Sequence, residues 1–391
     1  MSAAQQKSSS SPTRWQSEAL VFGVPQFIHR VEQAIAAAKR SIVLEMYILR
    51  ADHTGQRVIQ ALLAAAQRGV HIRLIIDGFG SRAWHAKALL NLIQQGVFIR
   101  VFHPLPRPFH ALIRGHWRGA LHAATLLLKV NQRTHRKLIV VDQCHAIVGS
   151  ANVSDQFLHW RETSAEVHGK AALELQQCFE EVWPRCHNPA AVDVKTPSFT
   201  LITTRRSKAR LKSGLVRSNH ALRFRLQQRL HLQRTLRKAQ KRLWIATAYF
   251  IPSPMLLRSL RIAADKGVDV RLILPWQTDV RPARWVAQLF YARLLDAGVK
   301  IYEYQPTMMH AKTLLIDDIA LVGSTNLNYR SFYHDLEIDL ILKHPTTIMT
   351  LQAHMEQDIQ HSLRVDRAYL QRRSWRNKVA GWLSLWFRHW M

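Results

Sequence analysis

The sequence predicts an α/β protein of two sandwich domains, related to each other by a pseudo-twofold repeat and sharing one active site. Three observations carry this expectation. Helical and strand-like segments alternate along the chain, the same series of segments occurs in each half, and a His-x-Lys-x4-Asp run sits at the matching place in both. At 391 residues the chain is long enough for two domains that each bury a core.

In chain order, residues 1–15 are rich in Ser and Gln and lack the apolar stretch of a signal peptide, so they read as a short disordered lead. A first domain follows over 16–195. In it Lys39-Arg40 precede the apolar run Ser41 to Leu49, which contains Tyr47. Ala65 to Ile76 reads as a helix end, a cap at Gly69 and a buried strand, and Gln95-Gly96-Val97 leads into a further strand at Ile99 to Phe102. A basic linker is expected over 196–220. The second domain, 221–365, repeats the series: Lys241-Arg242 before Leu243 to Ile251 with Tyr249, Ala263 to Leu274 around Gly267, and Ala297-Gly298-Val299 into Ile301 to Tyr304. Residues 366–391 form a tail.

The chemistry lies in what comes next. His135-Arg136-Lys137 runs to Asp142 and is followed by Gly149-Ser150-Ala151-Asn152; His310-Ala311-Lys312 runs to Asp317 and is followed by Gly323-Ser324-Thr325-Asn326. Glu162 and Glu337 each trail their histidine by 27 residues (162 − 135 and 337 − 310). On a strand, period-two alternation sends His and Lys to one face. The imidazole can attack phosphorus or move a proton, the ammonium can hold a non-bridging oxygen, and Asn152 and Asn326 can donate amide hydrogen bonds to the same phosphate. One histidine must be neutral and the other protonated, and Glu162 and Glu337 are the candidates to orient the rings and favour the cation. Asp142 and Asp317 complete the candidate catalytic set, although each ends an apolar strand and a structural bond there is the favoured reading. Lys and Asn supply the electrostatic stabilisation, so neither metal nor cofactor is expected. His103, His110, His116 and His122 receive no role.

These residues resemble the phospholipase D superfamily, whose members carry paired His-x-Lys-x4-Asp motifs followed by Gly-Gly/Ser-x-Asn. Asn131 to Lys137, Gly323 to Asn326, Arg330-Ser331 and Glu337 are similar to bacterial cardiolipin synthases, in particular the shorter type without N-terminal membrane spans, cardiolipin synthase B. The resemblance covers roughly residues 16 to 365. It implies two phospholipase D-like domains and transfer of a phosphatidyl group between two phosphatidylglycerols with release of glycerol. It also implies a phosphohistidine on His135, with His310 as acid and then base. Gln143 and Ser150 depart from the glycines common at their positions.

Charge bears on partners. With 55 Lys and Arg against 26 Asp and Glu, the net charge of +29 favours a polyanion, either an anionic membrane surface or nucleic acid. From Thr204 to Arg242 there are 14 Lys or Arg and no acid, read as an anionic-surface contact. The segment His103 to Thr134, with Arg107, Arg114, Arg118, Lys129 and Arg133 around Phe109, Leu112, Ile113 and Trp117, suits either a lipid-admitting surface segment or a plain loop. In the tail, Trp375, Val379, Trp382, Trp386 and Trp390 recur at helical spacing among basic residues, which fits a bilayer interface or a helix docked on the fold. No run of 18 uncharged apolar residues occurs. The three cysteines, Cys144, Cys178 and Cys186, lack a metal-ligand spacing and point to a reducing compartment. The expectation is a peripheral protein on the cytoplasmic face of a bacterial membrane, with phosphatidylglycerol as substrate. A nuclease using the same histidines and a non-catalytic binding module are the alternatives.

Overall fold

A computed structural model of the chain describes residues 14–84, 86–104, 131–189, 213–219 and 222–391. Its first half contains β1 (Ser17–Phe22), α1 (Gly23–Ala37), β2 (Ser41–Met46), α2 (His53–Gln67), β3 (His71–Asp77), α3 (Ala86–Gln94), β4 (Val97–Phe102), β5 (Lys137–Val141), β6 (His145–Gly149), β7 (Thr163–His168) and α4 (Ala172–Val182). The second half contains β8 (Val216–Ser218), α5 (Leu222–Lys238), β9 (Arg242–Ala246), α6 (Pro254–Asp265), β10 (Asp269–Pro275), α7 (Arg281–Leu289), α8 (Tyr291–Asp296), β11 (Lys300–Tyr304), β12 (Thr313–Ile316), β13 (Ile319–Gly323), α9 (Tyr329–Tyr333), β14 (Ile338–Leu342), α10 (Pro345–Gln360), β15 (Ser362–Val365), α11 (Arg367–Gln371) and α12 (Trp375–Leu385).

The sheets are copies. The first has the order β1-β7-β6-β5-β2-β3-β4 and the second β8-β14-β13-β12-β9-β10-β11-β15, so each strand of the first has a counterpart in the second and β15 is an addition. Strands joined through helices pair in parallel (β2 with β3, β9 with β10), while the hairpins β5-β6 and β12-β13 are antiparallel. Gly69, Gly96, Gly267 and Gly298 all adopt positive φ at the expected helix ends, which a residue with a Cβ resists.

Burial on both faces explains the near-continuous apolar strands. One face of the first sheet packs beneath α1 and α2, through Phe27, Val31, Leu62 and Ile139. The other joins a core common to both halves, where Leu138, Val148 and Val167 meet Leu315, Val322 and Leu340. The two domains therefore share an interior, which fixes the strand ends of one against those of the other.

Several boundaries differ from expectation. Trp15, placed in the disordered lead, is buried and donates Nε1–H to Ile341 O at 3.1 Å across the halves. The linker was expected to reach 220, yet β8 already pairs with β14 and Leu215 is fully buried. Within the basic run, Arg217 and Arg225 are buried and bonded to Gln228 and to Tyr333 O. They serve the fold: Arg217 ties β8 to α5 through Gln228, and Arg225 reaches Tyr333, far along the chain where sequence reading does not see it. Among the described residues no helix is long and apolar enough to cross a membrane, and none of the three cysteines is joined in a disulfide.

Candidate active site

The histidines lie just ahead of β5 and β12, in extended segments that pair across the halves. Thr134 bridges Leu336, with His135 N donating to Leu336 O at 2.9 Å and Leu336 N to Arg133 O at 2.8 Å. The mirror bridge joins Arg161 and Met309, with His310 N donating to Arg161 O and Arg161 N to Met308 O, both at 2.9 Å. Each motif histidine is thereby seated beside the acid of the opposite half. His135 Nδ1 lies 3.1 Å from both oxygens of Glu337, and His310 Nδ1 lies 2.6 Å from Glu162 Oε1. Both rings open onto one cavity of about 530 Å³, which Asn152 and Asn326 also line.

The Gly-Ser-x-Asn tails divide the labour. A Cβ on Gly149 would sit 2.1 Å from Ser164 Oγ, and one on Gly323 would sit 2.4 Å from Ile338 O, so only glycine permits these strand approaches. Ser150 Oγ donates to Glu162 Oε2, and Ser324 Oγ and Ser331 Oγ each donate to Glu337 at 2.5 Å. Asn152 Oδ1 accepts from Ile48 N at 3.3 Å, which turns its amide donors toward the cavity, while Asn326 Oδ1 is buried without a hydrogen-bond partner among the described residues. Lys137 and Lys312 are buried, their ammonium groups bonded to the carbonyls of their own histidines at 2.6 and 2.8 Å.

Asp142 and Asp317 require a correction to the candidate catalytic set. Both adopt left-handed backbone at the far end of their strands, at φ 49° and 50°, and neither reaches the cavity. Asp142 accepts from the backbone N–H groups of Lys39, Arg40 and Ser41, and Asp317 from those of Gln240, Lys241 and Arg242. They hold the turns entering β2 and β9, the strands paired with the motif strands β5 and β12. Gln143, where a glycine is usual, is also left-handed at φ 65°.

Electrostatically the two halves differ. Burial, reinforced by Lys137, Lys312 and His310, pushes the His135 imidazole well below its ordinary value. Burial also lowers His310, but Glu162 opposes it, so His310 keeps a proton more readily. Burial works to raise Glu162 too, yet the His310 charge, its hydrogen bond and Lys312 outweigh it and hold the carboxyl below its usual range. Glu337, with burial dominant, is pushed up to about 7. Burial lowers Lys137 to about 7, helped by Lys312, and Lys312 to about 8.

Several lining residues escaped sequence reading. Tyr47 meets His135 edge-on at 5.1 Å and Tyr249 meets His310 at 6.1 Å; their matched places in the repeat were a signal, though not of a role. Trp160 packs 4.9 Å from His310 and has no counterpart that would have marked it. Arg330 pairs with Asp335 at 2.8 Å at the cavity edge. Arg133, grouped with the surface cations of 103–134, is instead buried, 3.7 Å from Asp77, with Nη1 donating to His103 O. Arg107, Phe109, Leu112, Ile113, Arg114, Trp117, Arg118 and Lys129 lie outside the described residues.

Comparison with known proteins agrees with this architecture. A family model described as cardiolipin synthase, phospholipase D-like domain, matches residues 31–183 and 232–359. The chain is 31% identical to a cardiolipin synthase of Halalkalibacterium halodurans, over 92% of this chain and 69% of that one. It is 32% identical to cardiolipin synthase 1 of Bacillus anthracis, over 90% and 68%. Among solved structures, phosphatidylserine synthase of Haemophilus influenzae superposes with a TM-score of 0.69 at 14% identity, covering 96% of this chain and 95% of that one. Polyphosphate kinase of Porphyromonas gingivalis gives 0.56 at 11%, covering 96% and 56%. The chain belongs to the cardiolipin synthase family, phosphatidyltransferases of the phospholipase D superfamily built from two such domains.

Proposed function

We propose that the chain transfers a phosphatidyl group from one phosphatidylglycerol to a hydroxyl of a second, forming cardiolipin and glycerol through a phosphohistidine on His135. The observation that carries this assignment of roles is the unequal setting of the two rings. His135 Nδ1 lies 3.0 Å from the Ser324 carbonyl oxygen, which can only accept, so the proton sits on Nδ1 and the lone pair on Nε2. His310 Nδ1 meets its carboxylate more closely, at 2.6 Å against 3.1 Å for His135 and Glu337, which favours the His310 cation.

In the first step His135 Nε2 attacks phosphorus, the bond from phosphorus to the glycerol oxygen breaks, and His310 gives that oxygen its proton. In the second, His310, now neutral, takes the proton of the incoming hydroxyl as its oxygen bonds to phosphorus and the phosphorus–nitrogen bond breaks. One phosphodiester is made for one broken, so no external energy source is required. Lys137, Lys312, Asn152 and Asn326 hold the non-bridging oxygens.

The net charge of +29 supports peripheral attachment to an anionic lipid surface, and the unbridged cysteines support its cytoplasmic face. Incubating the purified protein with phosphatidylglycerol vesicles should yield cardiolipin and free glycerol, with acid-labile phosphate trapped on the His135 peptide alone. Cleavage of single-stranded or duplex DNA with no new lipid would replace this reading with a nuclease.

A further inference from the structure

The C-terminal helix packs on the fold, yet its apolar stripe faces outward. Gly381 is its buried contact with α7: a Cβ there would lie 2.8 Å from Trp285 O and 3.2 Å from Leu289. At and beyond the end of the helix, Leu385 and Met391 pack on Ile251, Ala283 and Val286. This docking sends Trp390 and Met391 into the cavity wall, where Arg330 Nη1 donates to Trp390 O at 3.3 Å and Asn328 Nδ2 to Met391 O at 3.1 Å. Arg330 also belongs to the cavity edge and donates to Asn131 O, so one side chain ties the tail to the mouth of the site.

The other side of the helix is left to solvent. Trp375 is 69% exposed, Trp382 62%, Trp386 86% and Phe387 64%. A helix that served only the fold would turn such a stripe inward, since burying each of these rings is worth about 2–3 kcal/mol. From Arg367 to Met391 there are six Lys or Arg and no Asp or Glu, which disfavours a cationic partner and suits an anionic one. Indole rings combined with basic side chains match the headgroup layer of a bilayer, where the ring body is buried and its N–H stays hydrated.

We infer that α12 and the turn after it form a docking rim for an anionic phospholipid surface, fixed to the cavity wall so that the mouth of the active site is held against the membrane. This deepens the proposed lipid reaction and rests on it. The rim has two separable parts: an outward aromatic face that binds the surface, and an inward seat at Gly381 that shapes the mouth. Lipid would then enter the cavity from the layer on which the rim sits.

The full chain carrying Trp382→Ser and Trp386→Ser tests the outward face, because both rings are exposed and outside the cavity. Flotation with vesicles of phosphatidylcholine containing phosphatidylglycerol should show partitioning reduced roughly tenfold or more, with turnover of vesicle substrate falling in parallel. Turnover of a soluble short-chain phosphatidylglycerol should persist, and this arm reports on the chemistry independently of the surface. Vesicle binding equal to that of the unaltered chain overturns the inference. So does light scattering that shows a dimer dissolved by the same substitutions, which would make the face a contact between copies. Gly381→Leu should lower turnover of both substrates by unseating Trp390 and Met391; soluble turnover untouched by it would overturn the link to the cavity wall.

Discussion

The two copies of the repeat are nearly the same backbone and carry unlike charge. Strand for strand the sheets match, and the bridges Thr134 to Leu336 and Arg161 to Met309 are mirror images. The surroundings of the rings are not. Burial pushes Glu337 up to about 7 even though two serine hydroxyls donate to it, whereas the charge and hydrogen bond of His310 hold Glu162 below its usual range. His135 has a carbonyl oxygen against Nδ1, in addition to the acid. A duplicated motif supplies two equal reagents, and the reaction needs two different ones. The difference comes from what surrounds each ring and acid, such as the Ser324 carbonyl against His135 and the closer carboxylate against His310, and not from the motif.

The largest test of that comparison removes either ring. His135→Ala and His310→Ala should each lower turnover by about ten-thousand-fold or more, because the proposed mechanism makes one the nucleophile and the other the proton carrier. Equal phosphate trapping on both histidines would erase the distinction drawn here. Next in size is the pair of acids. Glu162→Gln takes away the carboxylate that favours the His310 cation against burial, and kcat should fall by about a hundred- to a thousandfold. Glu337→Gln should cost about tenfold, since the Ser324 carbonyl still fixes the tautomer of His135. Matching losses in the two variants would show that the acids act alike.

Much of this site was readable because it was written twice. His135, Lys137, Asn152, Glu162 and their partners in the second half stood out by matched spacing, and the cavity joins the histidines and asparagines. What spacing could not reveal was the crossing. A 27-residue interval is the same whether Glu162 serves His135 or His310, and only the packing of one sheet on the other decides. The basic run misled for a related reason: Arg217 and Arg225 look like surface charge until distant segments close over them. The tail shows the reverse case. Trp375 and Trp382 lie exposed on α12, whereas Trp390, expected on the same stripe, falls past the helix end and lines the cavity; periodicity is indifferent to which side of a helix meets the protein, and Gly381 makes that choice.

A smaller effect concerns pH. Burial brings Lys137 to about 7 and Lys312 to about 8. Each is a cation below its value and is lost above it, so kcat/KM on a soluble short-chain substrate should decline as pH rises past this range, by up to about tenfold per pH unit and lysine. At saturating substrate the limb should move to higher pH, because a bound phosphate anion raises the lysine values. A profile of kcat/KM level from pH 7 to 10 would mean that the ammonium groups do not hold the phosphate.

The smallest expected effect on turnover, and the sharpest contrast within the motif, belongs to Asp142 and Asp317. Each carboxylate gathers backbone N–H groups from the turn that starts the strand beside its own, β2 or β9, about 1–2 kcal/mol of stability by analogy with a helix cap. For both, burial is outweighed by those N–H donors and the folded value is depressed. The stabilisation is therefore present at neutral pH and fades as acid protonates the carboxylates. Asp142→Ala and Asp317→Ala should lower Tm by several degrees, lose part of that penalty in acid, and leave kcat of the folded fraction within about twofold. A collapse of kcat on the scale of the histidine variants, with Tm unchanged, would restore these two residues to the chemistry. Otherwise the final residue of the repeated motif belongs to the sheet, and it travels with the histidine because the strand that presents one end of the motif must be anchored at the other.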